Sequence, residues 1–200
     1  MTATGKIELM APAGNFESMQ AALDNGCDSI YFGVEQLNMR ARATVNFVLD
    51  DLPEIARRCN EKNVRTYLTL NTIIYDHDLS IVKTLLTKAK EAGITAVIAS
   101  DQAVIMTARS IGMEVHISTQ LNVTNIETVK FYAMFADTIV LSRELSLRQV
   151  KKITNEIEKE QVKGPSGNLV EIEIFGHGAL CMAVSGKCYL SLHSHNSSAN

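Results

Sequence analysis

The chain has 200 residues, 46% of them hydrophobic, and a formal net charge of −3. This composition can bury a substantial core, and it excludes disordered, collagen-like and coiled-coil chains. The small negative charge gives no overall attraction to nucleic acid or to anionic lipid. A nucleic-acid site would therefore have to be a local patch or lie outside this segment.

The sequence predicts a cytoplasmic protein. No apolar run approaches the roughly 20 residues that a membrane span needs, and no basic segment followed by a long apolar stretch opens the chain. Because the cytoplasm keeps thiols reduced, the four cysteines are expected to be free thiols or metal ligands rather than disulfides.

Short apolar segments alternate with helical periods from the start of the chain to its end. The predicted strands are residues 7–11, 29–33, 65–70, 96–100, 114–119, 138–142 and 170–176. Six helices are predicted between them. Short connections and apolar strands favour parallel pairing through right-handed crossovers.

Two of the predicted helices carry clear local signals. In the second helix, Leu52, Ile55, Ala56 and Cys59 have the spacing of one buried face. The next helix ends in "KEAGI", where Gly93 suits a left-handed cap. Further on, the polar segment 158–169, "EKEQVKGPSGNL", is predicted to be a loop inserted between the sixth helix and the seventh strand.

Two architectures fit seven alternating strands, a doubly wound open sheet and a (β/α)8 barrel. An open sheet gathers functional groups at one switch point, whereas a barrel collects them from the ends of many strands. Candidates follow nearly every strand here: Asn15, Arg40, Arg42, Asn71, Asp101, Gln120, Asn122, Arg143, Glu144 and His177. No G-x-G-x-x-G follows the first strand. We therefore predict an α/β fold of the TIM-like barrel type, incomplete because only seven strands are visible and a barrel typically takes about 250 residues.

The segment 175–188, "FGHGALCMAVSGKC", places Cys181 and Cys188 in a loop of small residues. Two thiolates at this spacing can converge on one metal or cluster, although zinc and iron–sulfur centres usually take four ligands. The alternative is a pair of reduced cysteines in a packed loop. Cys27 and Cys59 are interpreted instead as small core residues.

Histidines and arginines supply the remaining candidates. In "VHISTQLN", strand alternation puts His116 and Ser118 on the face opposite Val115 and Ile117, so that they point into the barrel mouth. The alternative for His116 is a hydrogen-bonded histidine that serves packing. Arginine side chains suit carboxylate or phosphate ligands, and three of them follow strands that a barrel brings together. These are Arg40, Arg42 and Arg143, for which surface ion pairs with Glu35 and Glu144 are the alternative.

Standard hydrolase motifs are missing from the sequence. Neither H-E-x-x-H nor G-x-S-x-G occurs, so a hydrolase would have to rest on some other arrangement. His193 and His195 form a weak H-x-H metal signal that is more typical of a polar loop.

The segment 173–191, "EIFGHGALCMAVSGKCYLS", resembles the signature of the collagenase-like peptidase family, peptidase family U-32. Further support comes from "ELMAPAGNFESMQAALDNGCDSIYFGVEQLNMRARA", "HISTQLNVTN" and "VLSRELSL", so the resemblance covers the whole chain. Within the family, the chain is most similar to the bacterial branch that hydroxylates wobble uridine of tRNA to 5-hydroxyuridine with prephenate. Related branches act on a ribosomal RNA cytidine and in ubiquinone synthesis.

The resemblance implies an N-terminal barrel domain over residues 1–200 that ends inside the cysteine signature, with C-terminal domains outside this chain. It implies a [4Fe-4S] cluster bound by Cys181 and Cys188 and by two further cysteines beyond residue 200. It also implies tRNA and a small dicarboxylate, prephenate, as partners of the full-length protein. No association with a membrane is expected, and a protein partner is left open.

The resemblance and the residue chemistry together give expected roles. His116 and His177 are the expected proton-transfer groups, and the expected substrate contacts are Arg40, Arg42, Gln120, Asn122 and Arg143. The alternatives to an RNA hydroxylase are a collagenase-like peptidase, which is a hydrolase, and a non-catalytic, cluster-bearing subunit of a hydroxylase.

Overall fold

The computed structural model describes residues 7–34, 47–178 and 183–185. Seven strands form one parallel sheet in the order in which they occur along the chain. The strands are β1 (Met10–Pro12), β2 (Ser29–Phe32), β3 (Arg65–Leu70), β4 (Ala96–Ala99), β5 (Glu114–Ile117), β6 (Thr138–Val140) and β7 (Glu171–Glu173). A sequential parallel order of this kind is that of a TIM-like barrel and not of a doubly wound sheet.

One helix follows each of the first six strands. The helices are α1 (Phe16–Asp24), α2 (Leu52–Glu61), α3 (Leu79–Glu91), α4 (Gln102–Ser110), α5 (Ile126–Ala133) and α6 (Leu147–Glu160). Short 3-10 helices span Leu49–Asp51, Asp76–Asp78 and Thr119–Leu121. Among the described residues, no helix is both long enough and apolar enough to cross a membrane.

The sheet is a half-barrel. Within the described part of the chain, β1 pairs only with β2 and β7 only with β6, so the sheet does not close on itself. The predicted incomplete, TIM-like α/β architecture with seven strands is therefore confirmed.

The two outer strands are shorter than predicted. The apolar run at residues 7–11 becomes strand only from Met10, and Ile7 before it is 89% exposed. The run at 170–176 pairs with β6 only over Glu171–Glu173. Among the described residues, each of these strands has a neighbour on one side, so fewer of its residues find hydrogen-bond partners than an apolar run alone would predict.

The core lies between the outer face of the sheet and the helices. Outward-facing strand residues such as Ile30, Leu68 and Ile117 are fully buried there. The predicted face of α2 is confirmed, because Leu52, Ile55, Ala56 and Cys59 are its buried residues. Gly93 has a positive φ of 86° after α3, as the cap prediction requires.

The inner face of the sheet carries a different set of side chains. Tyr67, Ala96 and Ile98 form a small apolar cluster there, with Met10 and Tyr31 packed against it. Alternation along each strand puts polar residues on the same face, above and below this cluster. These polar side chains on the inner face form the candidate functional site.

The predicted loop between the sixth helix and the seventh strand is present, although α6 extends to Glu160 before the chain turns. An antiparallel bridge between Lys163 and Leu169 then closes the loop. The loop leads directly into β7, whose carboxyl end carries the signature segment.

Candidate functional site at the barrel mouth

An open cavity of about 70 Å³ lies inside the half-barrel at the carboxyl ends of the strands. Tyr31 and Phe175 give it aromatic walls, and Met10, Ile98 and Val140 give it an aliphatic surface. Its uncharged polar lining consists of Thr69, Asn71, Ser118 and Thr119. Of the described residues that line the cavity, Glu173 alone is charged. This lining suits a planar ring that has hydrogen-bonding groups at its edge.

His116 lies on the inner face of β5, level with Ile98 and Thr138 of the neighbouring strands. Its side chain is only 3% exposed. Nε2 donates to Glu114 Oε1 at 3.1 Å, and Nδ1 lies 3.8 Å from Glu173 Oε2 without forming a hydrogen bond. The predicted inward orientation of His116 is correct, but His116 is not among the residues that line the cavity.

The carboxylates around His116 favour its charged form. Burial, the largest influence, acts to lower the pKa of His116, but the contacts and charges of Glu114 and Glu173 outweigh it and raise the pKa above its ordinary value. Burial likewise acts to raise the pKa of Glu114, whereas His116 and Arg65 bring that pKa below its ordinary value. The imidazole and the Glu114 carboxylate therefore stabilise each other as ions.

An ionic network continues from Glu114 to the amino ends of the strands. Arg65 contacts Glu114 at 2.8 Å and Glu8 at 3.2 Å. The Tyr67 hydroxyl donates to Glu8 at 2.6 Å, and burial, followed by this hydrogen bond, raises the pKa of Tyr67. Packed charges of both signs thus fill the amino end of the half-barrel, and the open cavity lies at the opposite end.

The signature segment contacts the barrel mouth through Ser185, which is fully buried. Its backbone N–H donates to Glu144 Oε1 at 2.7 Å, and its hydroxyl lies 3.1 Å from the same oxygen. The backbone N–H and Nε of Arg143 lie 3.4 and 3.5 Å from the Ser185 hydroxyl. Arg143 and Glu144 follow β6, so this loop contacts Ser185, one of the three described residues between the two signature cysteines.

Comparison with known proteins identifies the family of this chain. The model of peptidase family U32 matches residues 14–200. The chain belongs to peptidase family U32. The predicted resemblance to this family is therefore confirmed, and the match includes both signature cysteines and every described cavity-lining residue except Met10.

Individual U32 relatives carry different names. The chain is 55% identical over 193 residues to a collagenase of Porphyromonas gingivalis, covering 96% of this chain and 47% of that protein. It is 35% identical over 189 residues to a tRNA hydroxylation protein of Escherichia coli, covering 93% of this chain and 39% of that protein. The chain thus spans about half the length, or less, of these curated relatives.

A solved U32 peptidase structure shares the fold. It superposes with a TM-score of 0.63 at 13% identity, over 87% of this chain and 70% of that one. Because the sequence identity is low, this likeness establishes the fold alone.

Several predicted site residues of the U32 chain form local hydrogen bonds at the mouth or at helix ends. Asn122 adopts a left-handed conformation, and its Oδ1 accepts from the Ser142 hydroxyl at 2.7 Å. Gln120 follows Ser118 in the short helix at the mouth and donates its backbone N–H to the Ser118 hydroxyl at 3.3 Å. Asn15 and Asp101 cap helices α1 and α4.

The other predicted residues divide into those at the mouth and those outside the described residues. Arg143 lies over the Phe175 ring, with its guanidinium carbon 6.0 Å from the ring centre, and His177 is exposed beyond β7. Arg40, Arg42, Cys181, Cys188, His193 and His195 lie outside the described residues. Cys27 and Cys59 are buried, as predicted for core residues, and burial raises the pKa of Cys59 to about 11.

Sequence reasoning missed two residues of the site, Glu173 and Ser185. The sequence predicts Glu173 only as part of a strand, and the signal for its role is the alternation in "EIEI", which puts Glu171 and Glu173 on one face. Ser185 has no local signal, because its partner Glu144 lies 41 residues away in the chain. In the part of the chain that the structure describes, no group of three or more His, Cys, Asp and Glu side chains could hold a metal ion.

Proposed function

We propose that the whole protein hydroxylates RNA, converting wobble uridine of tRNA to 5-hydroxyuridine with prephenate as co-substrate. The observation that carries the proposal is the mouth cavity, which has aromatic walls, uncharged hydrogen-bonding groups and an arginine at its rim. The relative named as a tRNA hydroxylation protein, aligned over 93% of this chain, supports the same chemistry.

The cavity provides the two kinds of contact that a ring substrate needs. Tyr31 and Phe175 offer aromatic surface, against which unpaired bases stack. Thr69, Asn71 and Ser118 offer hydroxyl and amide groups that can hydrogen-bond to the edge of a ring. Recognition of an extruded base by stacking and edge hydrogen bonds is usual in enzymes that modify nucleobases.

Arg143 is the described residue that would hold a carboxylate of prephenate. Its guanidinium lies beside Phe175 at the rim of the cavity, and guanidinium groups pair with carboxylates through two parallel hydrogen bonds. Arg40 and Arg42 belong to the segment after β2, and the same role is proposed for them. The strands that precede these arginines are parallel, so the segments that follow them leave the sheet at the same end.

A [4Fe-4S] cluster is the cofactor that we propose for Cys181 and Cys188. The donor chemistry fits, because thiolates are the usual ligands of such clusters, and this chain supplies two of the four that they need. When bound, the cluster supplies an iron centre for electron transfer or for positioning substrate. Glu144 and Arg143 contact Ser185 at the mouth, and Ser185 lies four residues after Cys181 and three before Cys188 in the sequence, which supports a cluster near the mouth.

Two measurements on the full-length protein test the proposal. Purification without oxygen should give the visible absorption of an iron–sulfur centre. Deletion of the gene should remove 5-hydroxyuridine from the wobble position of tRNA, and the unmodified uridine should accumulate. A deletion strain with unchanged wobble nucleosides would overturn the proposed reaction.

A collagenase-like peptidase is the second candidate, and the 55% identity to a protein named collagenase favours it. Full-length protein incubated with denatured collagen would then generate new peptide N-termini that mass spectrometry can identify. Cleavage that persists in a preparation without iron, together with unchanged tRNA in the deletion strain, would favour the peptidase over the hydroxylase.

A further inference from the structure

Glu173 has an unusual position for a glutamate on a barrel strand. It is the last residue of β7, level with Val140 of β6, and both residues line the mouth cavity. Its side chain is only 25% exposed. A carboxylate in a wall that is otherwise aromatic, aliphatic or uncharged will determine which ligands enter, because burying it without a partner is costly.

His116 supports this carboxylate from beneath. In the register of the sheet, His116 is level with Thr138, which pairs with Glu171, so Glu173 lies one inward-facing step nearer the mouth. The groups that face the imidazole are Glu114 on its own strand, the Tyr67 ring at 4.5 Å and Glu173. Nε2 is used by Glu114, whereas Nδ1 is buried without a hydrogen bond, 3.8 Å from Glu173 Oε2. Because buried polar atoms are usually hydrogen-bonded, we expect Glu173 to be the hydrogen-bond partner of this nitrogen.

We propose that Glu173 accepts a hydrogen bond from the ring N–H of a uracil base in the mouth cavity, and that His116 is its positioning residue. This inference rests on the proposed RNA hydroxylase function and assigns the two substrates to separate places. Prephenate carries two carboxylates, which Glu173 would repel and Arg143 at the rim would attract. A uracil base carries no charge and presents one ring N–H, which a carboxylate accepts strongly.

The arrangement also accounts for how the cavity would select its base. Stacking against Tyr31 and Phe175 is insensitive to the identity of the base, so specificity must come from polar groups at the ring edge. A carboxylate acceptor selects a base with a donor at that edge and rejects one that presents an acceptor there, because two acceptors facing each other remain unpaired.

The test measures how tightly the full-length protein binds two anticodon stem-loop RNAs that differ in the substituent on one ring nitrogen. One RNA carries uridine at the wobble position and the other carries 3-methyluridine, in which a methyl group replaces the ring N–H. Affinities are measured by fluorescence anisotropy at one salt concentration. The wild-type protein should prefer uridine by about 10- to 100-fold, the range for one hydrogen bond to a charged group.

The variants separate the hydrogen bond from the bulk of the methyl group. Glu173→Met removes the acceptor and should abolish most of the preference, whereas Glu173→Gln retains a neutral acceptor and should keep a smaller one. His116→Gln should also reduce the preference, a change that general loss of packing would not produce. The control is Glu171→Gln, two residues earlier on the same strand and exposed, which should keep the wild-type preference.

Each outcome decides one point. Wild-type protein that binds both RNAs equally would overturn the role of Glu173 and leave the proposed function standing. A preference that survives unchanged in Glu173→Met would also overturn it, because the methyl group would then be excluded by its size. Wild-type protein that binds neither RNA would overturn both proposals.

Discussion

The electrostatics of His116 can be tested through folding stability. Its pKa is raised in the folded protein because Glu114 and Glu173 flank it. A raised folded-state pKa means that the charged imidazole adds stability that is fully present below the unfolded value of about 6.5 and is lost as the pH rises through the folded value.

The free energy of unfolding should therefore contain a component that falls as the pH rises above about 6.5. Urea denaturation at several pH values measures it. His116→Gln should lower stability at every pH and remove this component. His77→Gln is the control, because the side chain of His77 is 80% exposed. A His116→Gln variant with the same pH dependence as the wild type would show that the imidazole is not charged in the folded state.

The four cysteines should separate into two functional classes. Cys59 is fully buried in the core, so Cys59→Ala should cost about 1 to 2 kcal/mol of unfolding free energy, through lost burial and a small cavity. In the full-length protein it should leave iron content unchanged. Cys181→Ser and Cys188→Ser should do the reverse, abolishing iron binding with little effect on the denaturation midpoint. Full iron content in both loop variants would remove these residues from the cofactor site.

The arginine hypothesis concerns geometry more than charge. Replacing Arg40, Arg42 or Arg143 by lysine keeps the charge but loses the planar pair of donors. Prephenate affinity in the full-length protein should fall about 10- to 150-fold for each residue that contacts a carboxylate. Calorimetric titration measures it, with Arg148→Lys on the exposed side of α6 as the control. Wild-type affinity in all three variants would leave the carboxylate site unassigned.

For single residues, the sequence predicts the face of a strand on which a side chain lies better than it predicts which other side chains it will contact. The sequence shows that His116 faces inward, because strand alternation is a local property. The same alternation puts Glu114 on the face of His116, but it does not show that Glu173 approaches the imidazole, because that contact depends on the register of β5, β6 and β7. Asn15 and Asp101 illustrate the opposite case: they follow strands, as catalytic residues of barrels do, yet their side chains cap helices.

Strand β3 was the most closely predicted strand of the sheet. It has the bounds that the sequence predicts, residues 65–70, and it pairs with a neighbour on each side along its length. Strands β5 and β6 also have two neighbours, yet they end at Ile117 and Val140, two residues before their predicted ends. Strands β1 and β7 are shorter than their apolar runs. Apolarity reports burial, whereas strand length also depends on a partner strand that a local pattern does not specify.

The link between the loop after β6 and the signature segment gives a prediction at this scale. Glu144 Oε1 accepts from the buried backbone N–H of Ser185. Burial, the largest influence, acts to raise the pKa of Glu144, but this hydrogen bond and the neighbouring contacts of Ser185 and Arg143 together bring it below its ordinary value. Glu144→Ala would leave that N–H without its acceptor, at a cost of about 1 to 3 kcal/mol to the docked state of the segment.

Amide hydrogen exchange at residues 183–185 should therefore accelerate in Glu144→Ala, while exchange in β3 stays as in the wild type. Cys181 and Cys188 should also react faster with a maleimide in protein from which iron has been removed. Glu127→Ala on α5 is the control, since its carboxylate pairs with Lys130 on the surface, away from Ser185 and Glu144. Unchanged exchange at 183–185 would show that other contacts hold the segment.

Over the whole molecule, the two ends of the half-barrel have different electrostatic character. The amino end is filled by Glu8, Arg65, Tyr67 and Glu114, whose charges and hydrogen bonds satisfy one another. The carboxyl end keeps an open cavity, and Glu173 is the one carboxylate among the described residues that line it. In barrel enzymes the amino end of the strands serves stability and the carboxyl end carries the active site. The paired charges at one end of this half-barrel and the open cavity at the other agree with that division.

The open edges of the half-barrel lead to a prediction for the 200-residue chain studied by itself. Strands β1 and β7 each have one partner among the described residues, and exposed apolar side chains lie next to both. These are Ile7, Leu9, Ile174 and Phe175, with exposures of 46% to 89%. Unpaired backbone groups beside apolar side chains favour edge-to-edge association.

The isolated chain should therefore associate as its concentration rises, which sedimentation velocity would detect as a shift to larger species. Leu9→Lys and Ile174→Lys together should reduce association, because a charge beside each edge opposes pairing with a second strand. Met106→Lys is the control, since Met106 is 55% exposed on α4, away from both edges. A chain that remains monomeric at every concentration would mean that residues outside the described ranges cover the edges, and the lysine pair would then have no effect.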